Sequence, residues 1–223
     1  RVHRLQRRTP GPSRRHQRRI VKAGARAVGV AESYRSSVET ATEGRAPSDE
    51  PSDERRSTLA AAVVRGDRTV DGFEFGGCTV GGLDATEAVV ELLDRVDRED
   101  VQYVVVSGVA PAWYNVLDLP AIHDGVDRPV LSVSFEASPG LEPALRDAFQ
   151  GDALDARLSI YRRQPPRARL TVNDETVFLR SVGLDDGEAR DVVRAFTPEG
   201  GRPEPVRVAR LAARAADRWR ADS

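Results

Sequence analysis

The 223-residue sequence has one cysteine, no methionine and one lysine, Lys22, among 34 basic residues, and only 5% of it is aromatic. A lone Cys78 excludes an internal disulfide and a cysteine-rich zinc site, and on a strand it reads as a small core residue. Only His123 lies outside the first 24 residues, and beside Asp124 it reads as a surface side chain rather than a base or ligand. Ser107 therefore has no evident histidine partner, which argues against serine-hydrolase chemistry. Glycine-rich phosphate signatures and a Gly-x-Ser-x-Gly elbow are both missing. No apolar run approaches the roughly 20 residues that span a bilayer. The Arg-rich start lacks the apolar core of a secretory signal, so a soluble, cytoplasmic protein is the expectation. With no methionine even at position 1, it stays open whether the first segment reflects start-site choice.

What remains is enough for one sizeable domain with appendages, because 39% of the residues are hydrophobic and 31% charged. The net charge of −1 conceals a strong asymmetry. Residues 1–26 carry ten basic side chains and no acid, and residues 206–223 carry five arginines against two aspartates. Residues 27–205 hold 19 basic and 33 acidic groups, a formal −14. The bias toward Arg, Ala, Gly, Val and Asp fits high-GC coding or adaptation to high salt, where screening tolerates abundant surface carboxylates. Both suit a halophilic microbe.

Residues 1–24 are polar, hold Pro10 and Pro12, and read as a disordered basic arm. Residues 39–57, with the tandem Pro-Ser-Asp-Glu repeat of 47–54, read as an acidic flexible loop. Between and beyond them the pattern predicts strands at 25–31, 59–64, 69–80, 102–106, 129–135, 169–172 and 176–182. It predicts helices at 84–96, 115–126 (interrupted early by Pro120), 141–149, 153–162 and 185–196. Residues 199–205 read as a linker before an amphipathic helix over 206–223. A hairpin that leads into βα alternation implies an α/β domain over 25–198, a three-layer mixed sheet with helices on both faces. In such sheets sites gather where strands end in short loops.

Three segments carry candidate chemistry. Residues 104–115 deliver Ser107 and Gly108 from a buried strand to a loop followed by Trp113, Tyr114 and Asn115. Aromatics there either stack on bases or anchor the next helix in the core. Asp84 and Glu87, at i, i+3 in the first turn of a helix, either share a Mg²⁺ or form a capping arrangement. In the last helix, Arg207, Arg210, Arg214 and Arg218 form a stripe that either follows a phosphate backbone or pairs with the acidic body.

The runs at 29–33, 79–87 and 107–118, with the Gly-Leu-Asp-Ala-Thr-Glu stretch of 82–87 the most specific, resemble the archaeal domain of unknown function 99 family in its haloarchaeal branch. Residues 128–134 and 180–184 look like its later segments, and the match covers about 24–198. That family is similar to endonuclease V, and the "endonuclease dU" type is described as cutting near deaminated bases such as deoxyuridine. The resemblance implies a ribonuclease-H-like fold, DNA or RNA as partner, DNA repair as setting, and Mg²⁺-assisted phosphodiester hydrolysis. It implies a first strand ending in two aspartates, where this chain has Ala31 and Glu32, and a later Asp-Gly, here Ser107-Gly108. The site it implies has Glu87 and Glu32 as metal ligands, Asp84 as a further catalytic carboxylate, and Ser107, Gly108, Trp113, Tyr114 and Asn115 against substrate. Three readings follow: such an endonuclease with weakened or lost activity, a nucleic-acid-binding or regulatory protein on the same fold, and an acidic interaction module unrelated to nucleic acid.

Overall fold

The computed structural model describes residues 21–33 and 56–221. Residues 1–20 of the expected basic arm and 39–55 of the expected acidic loop lie outside the described residues. The elements in order are β1 (Arg26–Ser33), β2 (Arg56–Arg65), β3 (Val70–Thr79), α1 (Ala85–Val96), β4 (Val101–Ser107), the single turn α2 (Pro111–Tyr114), α3 (Leu119–Val126) and β5 (Val130–Ser134). They continue with α4 (Glu142–Ala148), α5 (Gly151–Arg162), β6 (Ala168–Val172), β7 (Glu175–Val182), α6 (Asp186–Ala195) and α7 (Glu204–Ala221).

The seven strands form one mixed sheet in the order β3-β2-β1-β4-β5-β7-β6. β1, β4 and β5 run parallel at its centre, while β2, β3, β7 and β6 flank them in antiparallel pairs. Both faces of the central strands are apolar, as parallel strands covered on two sides require. Val28, Val30, Val104 and Val106 pack toward Val89 and Leu92 of α1 and Ile122 of α3. The alternate residues Ala27, Val105, Leu131 and Val133 pack toward Val192 and Val193 of α6 and Val206 of α7. This is the expected three-layer α/β arrangement.

Two boundaries moved for physical reasons. The helix expected over 115–126 begins only at Leu119, with the Asp118 carboxylate accepting from Ala121 N at 3.3 Å. Pro120 lacks an N–H and disfavours helical backbone before it, so it fits in a first turn and not after one. The last helix starts at Glu204, inside the stretch expected as a linker, because Glu204 N donates to Phe196 O at 2.7 Å and Glu204 pairs with Arg207 at 2.6 Å.

α7 lies across β1 and β2 and buries Val206, Val208, Ala209 and Ala213. Gly29 makes that approach possible: a Cβ there would collide with the backbone of Pro205 and Val206. Gly29→Ala should therefore push α7 off the sheet and cost about 3 kcal/mol or more, read as a lower midpoint in chemical unfolding.

Candidate functional site

Parallel pairing aligns the C-terminal ends of the three central strands, with Val30 opposite Val106 and Ser107 opposite Val133. Alternation then sorts the site residues by face. Glu32 follows Val28 and Val30 toward the α1 layer, whereas Ala31 packs with Val208 and Ala209 beneath α7. Ala31, Glu32, Ser33, Ser107, Arg210 and Arg214 line one small pocket, so the two positions where the resemblance implies aspartates are near one another. They carry a methyl and a hydroxyl.

The three nominated carboxylates do not converge. Glu32 accepts a hydrogen bond from Ser57 Oγ at 2.9 Å. Burial pushes its pKa above the usual range, against Ser57, the Ala112 backbone and the charge of Arg210, which lower it. Asp84 accepts from Thr79 N at 3.0 Å, Thr79 Oγ1 at 2.9 Å and Asn115 Nδ2 at 2.6 Å. Burial raises its pKa, but these hydrogen bonds outweigh it and hold the carboxyl below its ordinary value. Glu87 is exposed, turned roughly 200° around α1 from the buried Ala85. Among the described residues no group of three His, Cys, Asp or Glu side chains is placed to hold a metal. Mg²⁺ demands near-octahedral oxygen ligation, and this donor set does not fit it: one carboxylate is committed, one faces solvent and one is buried against Ser57. Cys78 is sealed in the core, its thiol pushed up to about 12 by burial and by Asp84 and Glu32 nearby.

Asn115 is a structural hub. Its Oδ1 accepts from Ala85 N at 2.9 Å and its Nδ2 donates to Thr79 O at 2.8 Å as well as to Asp84. The helix start, for which a capping arrangement of Asp84 and Glu87 is one of two readings of the sequence, is capped instead from 30 residues away, since Asp84 makes no side-chain cap bond. The preceding turn is left-handed at Ala112, Trp113 and Tyr114, with φ of 46°, 55° and 61°. Such backbone costs roughly 1–2 kcal/mol per residue, so its surroundings must impose it. They do: Gly81 N donates to Ala112 O at 2.7 Å, and the buried Arg157 guanidinium donates to the carbonyls of Tyr114, Gly81 and Gly82. Trp113 and Tyr114 close over Phe149, with ring centroids at 5.1 and 6.1 Å.

Ser107 and Gly108 stand elsewhere, on the wall of a cavity of about 390 Å³ between β4, β5, β7 and α7. Its lining includes Ser132, Ser134, Phe135, Tyr161 and Phe178, and four arginines: Arg167, Arg180, Arg202 and Arg210. Gly108 has φ +74° with open space where a Cβ would stand. Sequence reasoning singled out Arg210 and Arg214 within the α7 stripe but missed Arg167, Arg180 and Arg202, which are scattered over a loop, a strand and the approach to a helix. The stripe itself divides, because Arg207 is paired with Glu204.

A sequence profile described as endonuclease dU matches residues 23–217. This chain belongs to the endonuclease dU family. A curated relative, a UPF0215 protein of Pyrobaculum calidifontis, is 34% identical over 159 residues, covering 70% of this chain and 86% of the relative. A crystal structure of an Archaeoglobus fulgidus protein of unknown function superposes with a TM-score of 0.70 at 22% identity, covering 86% and 97% of the two chains. Endonuclease V of Ciona intestinalis, solved with a 24mer DNA containing inosine followed by a ribo-adenosine, gives 0.57 at 11% identity, covering 87% and 86%. This chain thus shares the fold of endonuclease V. No helix among the described residues is long and apolar enough to cross a membrane.

Two stability measurements test the assigned roles. Asn115→Ala leaves Ala85 N–H without its partner and removes one of the two hydrogen bonds to Asp84 Oδ1, and should cost about 2–3 kcal/mol. Glu32 has a folded pKa above its unfolded value, so its contribution favours the fold at low pH and is lost as pH rises through the folded pKa. Glu32→Gln should therefore raise the melting temperature by a few degrees at pH 7, with the gain shrinking below about pH 4.5.

Proposed function

We propose that this endonuclease dU family protein binds nucleic acid at the C-terminal edge of its central strands and has lost most or all metal-dependent hydrolysis. The observation that carries this is the exchange of charge at that edge. Ala31 and Ser107 stand where the family resemblance implies aspartates, while Arg167, Arg180, Arg202 and Arg210 line the adjoining cavity. Guanidinium groups suit phosphate oxygens, with which they form paired, charge-assisted hydrogen bonds. The relatives' endonuclease V fold, seen with DNA in Ciona, supports nucleic acid as the ligand class. Deaminated bases remain the favoured target on the strength of the family description. The roles of Glu32, Glu87 and Asp84 in catalysis are proposed only for the rival reading, in which the name of the family is carried over in full and a metal completes the site with bound nucleic acid.

The body of the chain is strongly acidic, so long-range repulsion opposes DNA at low salt and is screened at high salt. Binding and cleavage are best measured together, on uracil- and hypoxanthine-containing DNA in several molar KCl with Mg²⁺ or Mn²⁺. Retained binding with no product is the expected result. Cleavage that Glu87→Ala abolishes would overturn it and support the metal-dependent endonuclease. Neither binding nor cleavage would leave an interaction module unrelated to nucleic acid.

A further inference from the structure

We propose that the arginine-lined cavity is a binding site for a phosphate monoester, either a free nucleoside monophosphate or the phosphorylated end of a strand, held by guanidinium groups without a metal ion. The inference rests on reading this edge as the nucleic-acid-binding face and narrows it to the group that is bound.

Charge is the first argument. Among the described residues, none of Arg167, Arg180, Arg202 and Arg210 forms an ion pair with a carboxylate. The carboxylate on the cavity wall is Glu136, and Arg167 donates to its backbone carbonyl, not its side chain. Glu32, in the adjoining pocket, feels Arg210 only at Coulombic range, and burial disfavours its charge. Four cations in one cavity repel each other and call for an anion. A phosphodiester supplies a single negative charge, whereas a monoester supplies about −1.5 to −2 near neutral pH. A neutral base supplies none.

Preorganisation is the second. Three of the guanidinium groups are stacked on aromatic faces: Arg167 over Phe178 at 3.9 Å, Arg202 over Phe135 at 4.0 Å and Arg180 over Tyr161 at 5.2 Å. Arg167 is also tied to Ser134 Oγ at 3.2 Å and Arg180 to Tyr161 OH at 3.1 Å. Neutral acceptors fix these groups in position but leave their charge uncompensated. Arg202 goes further, because its buried Nη1 has no hydrogen-bond partner. A buried donor left unmade is costly, and a small turn of the Arg202 side chain toward a bound anion would relieve it. Burial, with Arg210 and Arg214 beside it, also lowers the Arg202 pKa, a strain that a bound anion relieves. The hydroxyls of Ser107, Ser132 and Ser134 add neutral donors, and the volume of about 390 Å³ suits a nucleotide.

Calorimetric titration of the full chain with inorganic phosphate, dUMP and deoxyuridine tests the site directly. A set of oligonucleotides with and without a terminal phosphate separates a strand end from a free nucleotide. dUMP should bind and deoxyuridine should not. Arg202→Gln should weaken dUMP by about tenfold or more, while Arg169→Gln, outside the cavity, should leave it unchanged. Since removing a half-buried arginine risks misfolding, Ser107→Asp provides a second probe: a carboxylate on the wall should abolish dUMP binding while the melting transition stays cooperative. Equal binding of dUMP and deoxyuridine, or unaltered dUMP affinity in folded Arg202→Gln, overturns the inference. If unphosphorylated strands bind while dUMP and inorganic phosphate do not, the nucleic-acid reading stands and this inference falls. If dUMP binds and no strand does, the inference stands and the nucleic-acid reading falls.

Discussion

The contact between Gly29 and the Pro205–Val206 backbone governs the functional edge of this molecule. A side chain at position 29 would hold α7 away from the sheet, and with it the arginines at 202, 210 and 214. With hydrogen in that place, the start of α7 drops onto β1, and Val206, Val208 and Ala209 are buried. Once that end is fixed, helical geometry carries Arg210 and Arg214 to the strand termini at roughly 5 Å per turn. Asp217, further along, accepts from Thr58 at 3.3 Å, and Arg220 donates to the same hydroxyl at 2.8 Å, so the helix is tied to β2 as well. Backbone packing at one residue thus sets the electrostatics of a cavity about one turn away.

A second constraint explains why a conspicuous segment is structural. Residues 82–87 and 107–115 carry polar and aromatic side chains that invite a catalytic interpretation. Asn115 instead joins them, capping α1 and holding Asp84 against Thr79. The left-handed turn before it costs backbone energy, and Arg157 ties its Tyr114 carbonyl to the Gly81 carbonyl of the facing loop. That guanidinium also stacks on Phe149 at 3.8 Å, the ring against which Trp113 and Tyr114 close. Polar groups in this region are spent on each other, which is why a buried network can look like an active site in one dimension.

Strand and helix placement was legible from periodicity and turn residues because local chemistry decides both. The Val104–Val106 run could only be a strand covered on two faces, and Asn173-Asp174 adopts the positive φ of a tight hairpin turn, 47° and 67°. Pro120 was legible as an interruption, though its consequence, a helix starting at Leu119, needed the geometry of the first turn. The cavity was only half legible. Ser107 and Gly108 follow from the rule that sites form at strand ends, and Arg210 from the stripe of α7. Arg167, Arg180 and Arg202 come from three separate segments whose convergence depends on β7 pairing with β5 and on α7 returning to the sheet. No local spacing encodes that.

The same fold can keep the sign of its interaction with phosphate while losing its chemistry. In a site with aspartates at positions 31 and 107, a divalent cation would neutralise the carboxylates and present positive charge to the phosphate. Here the carboxylates are absent at both positions, and fixed guanidinium groups present the positive charge themselves. On the proposed reading, both arrangements attract and orient a phosphate. They differ in what they do to water: a metal lowers the pKa of a bound water toward neutrality, whereas a guanidinium, protonated at any physiological pH, can only donate hydrogen bonds. Glu32 lines the same small pocket as Ala31 and Ser107, but it is a single carboxylate, hydrogen-bonded to Ser57 and raised in pKa by burial. Attraction without an activated nucleophile is recognition. On the proposed reading, Ala31 and Ser107 in place of aspartates would alter the reaction far more than they alter the ligand.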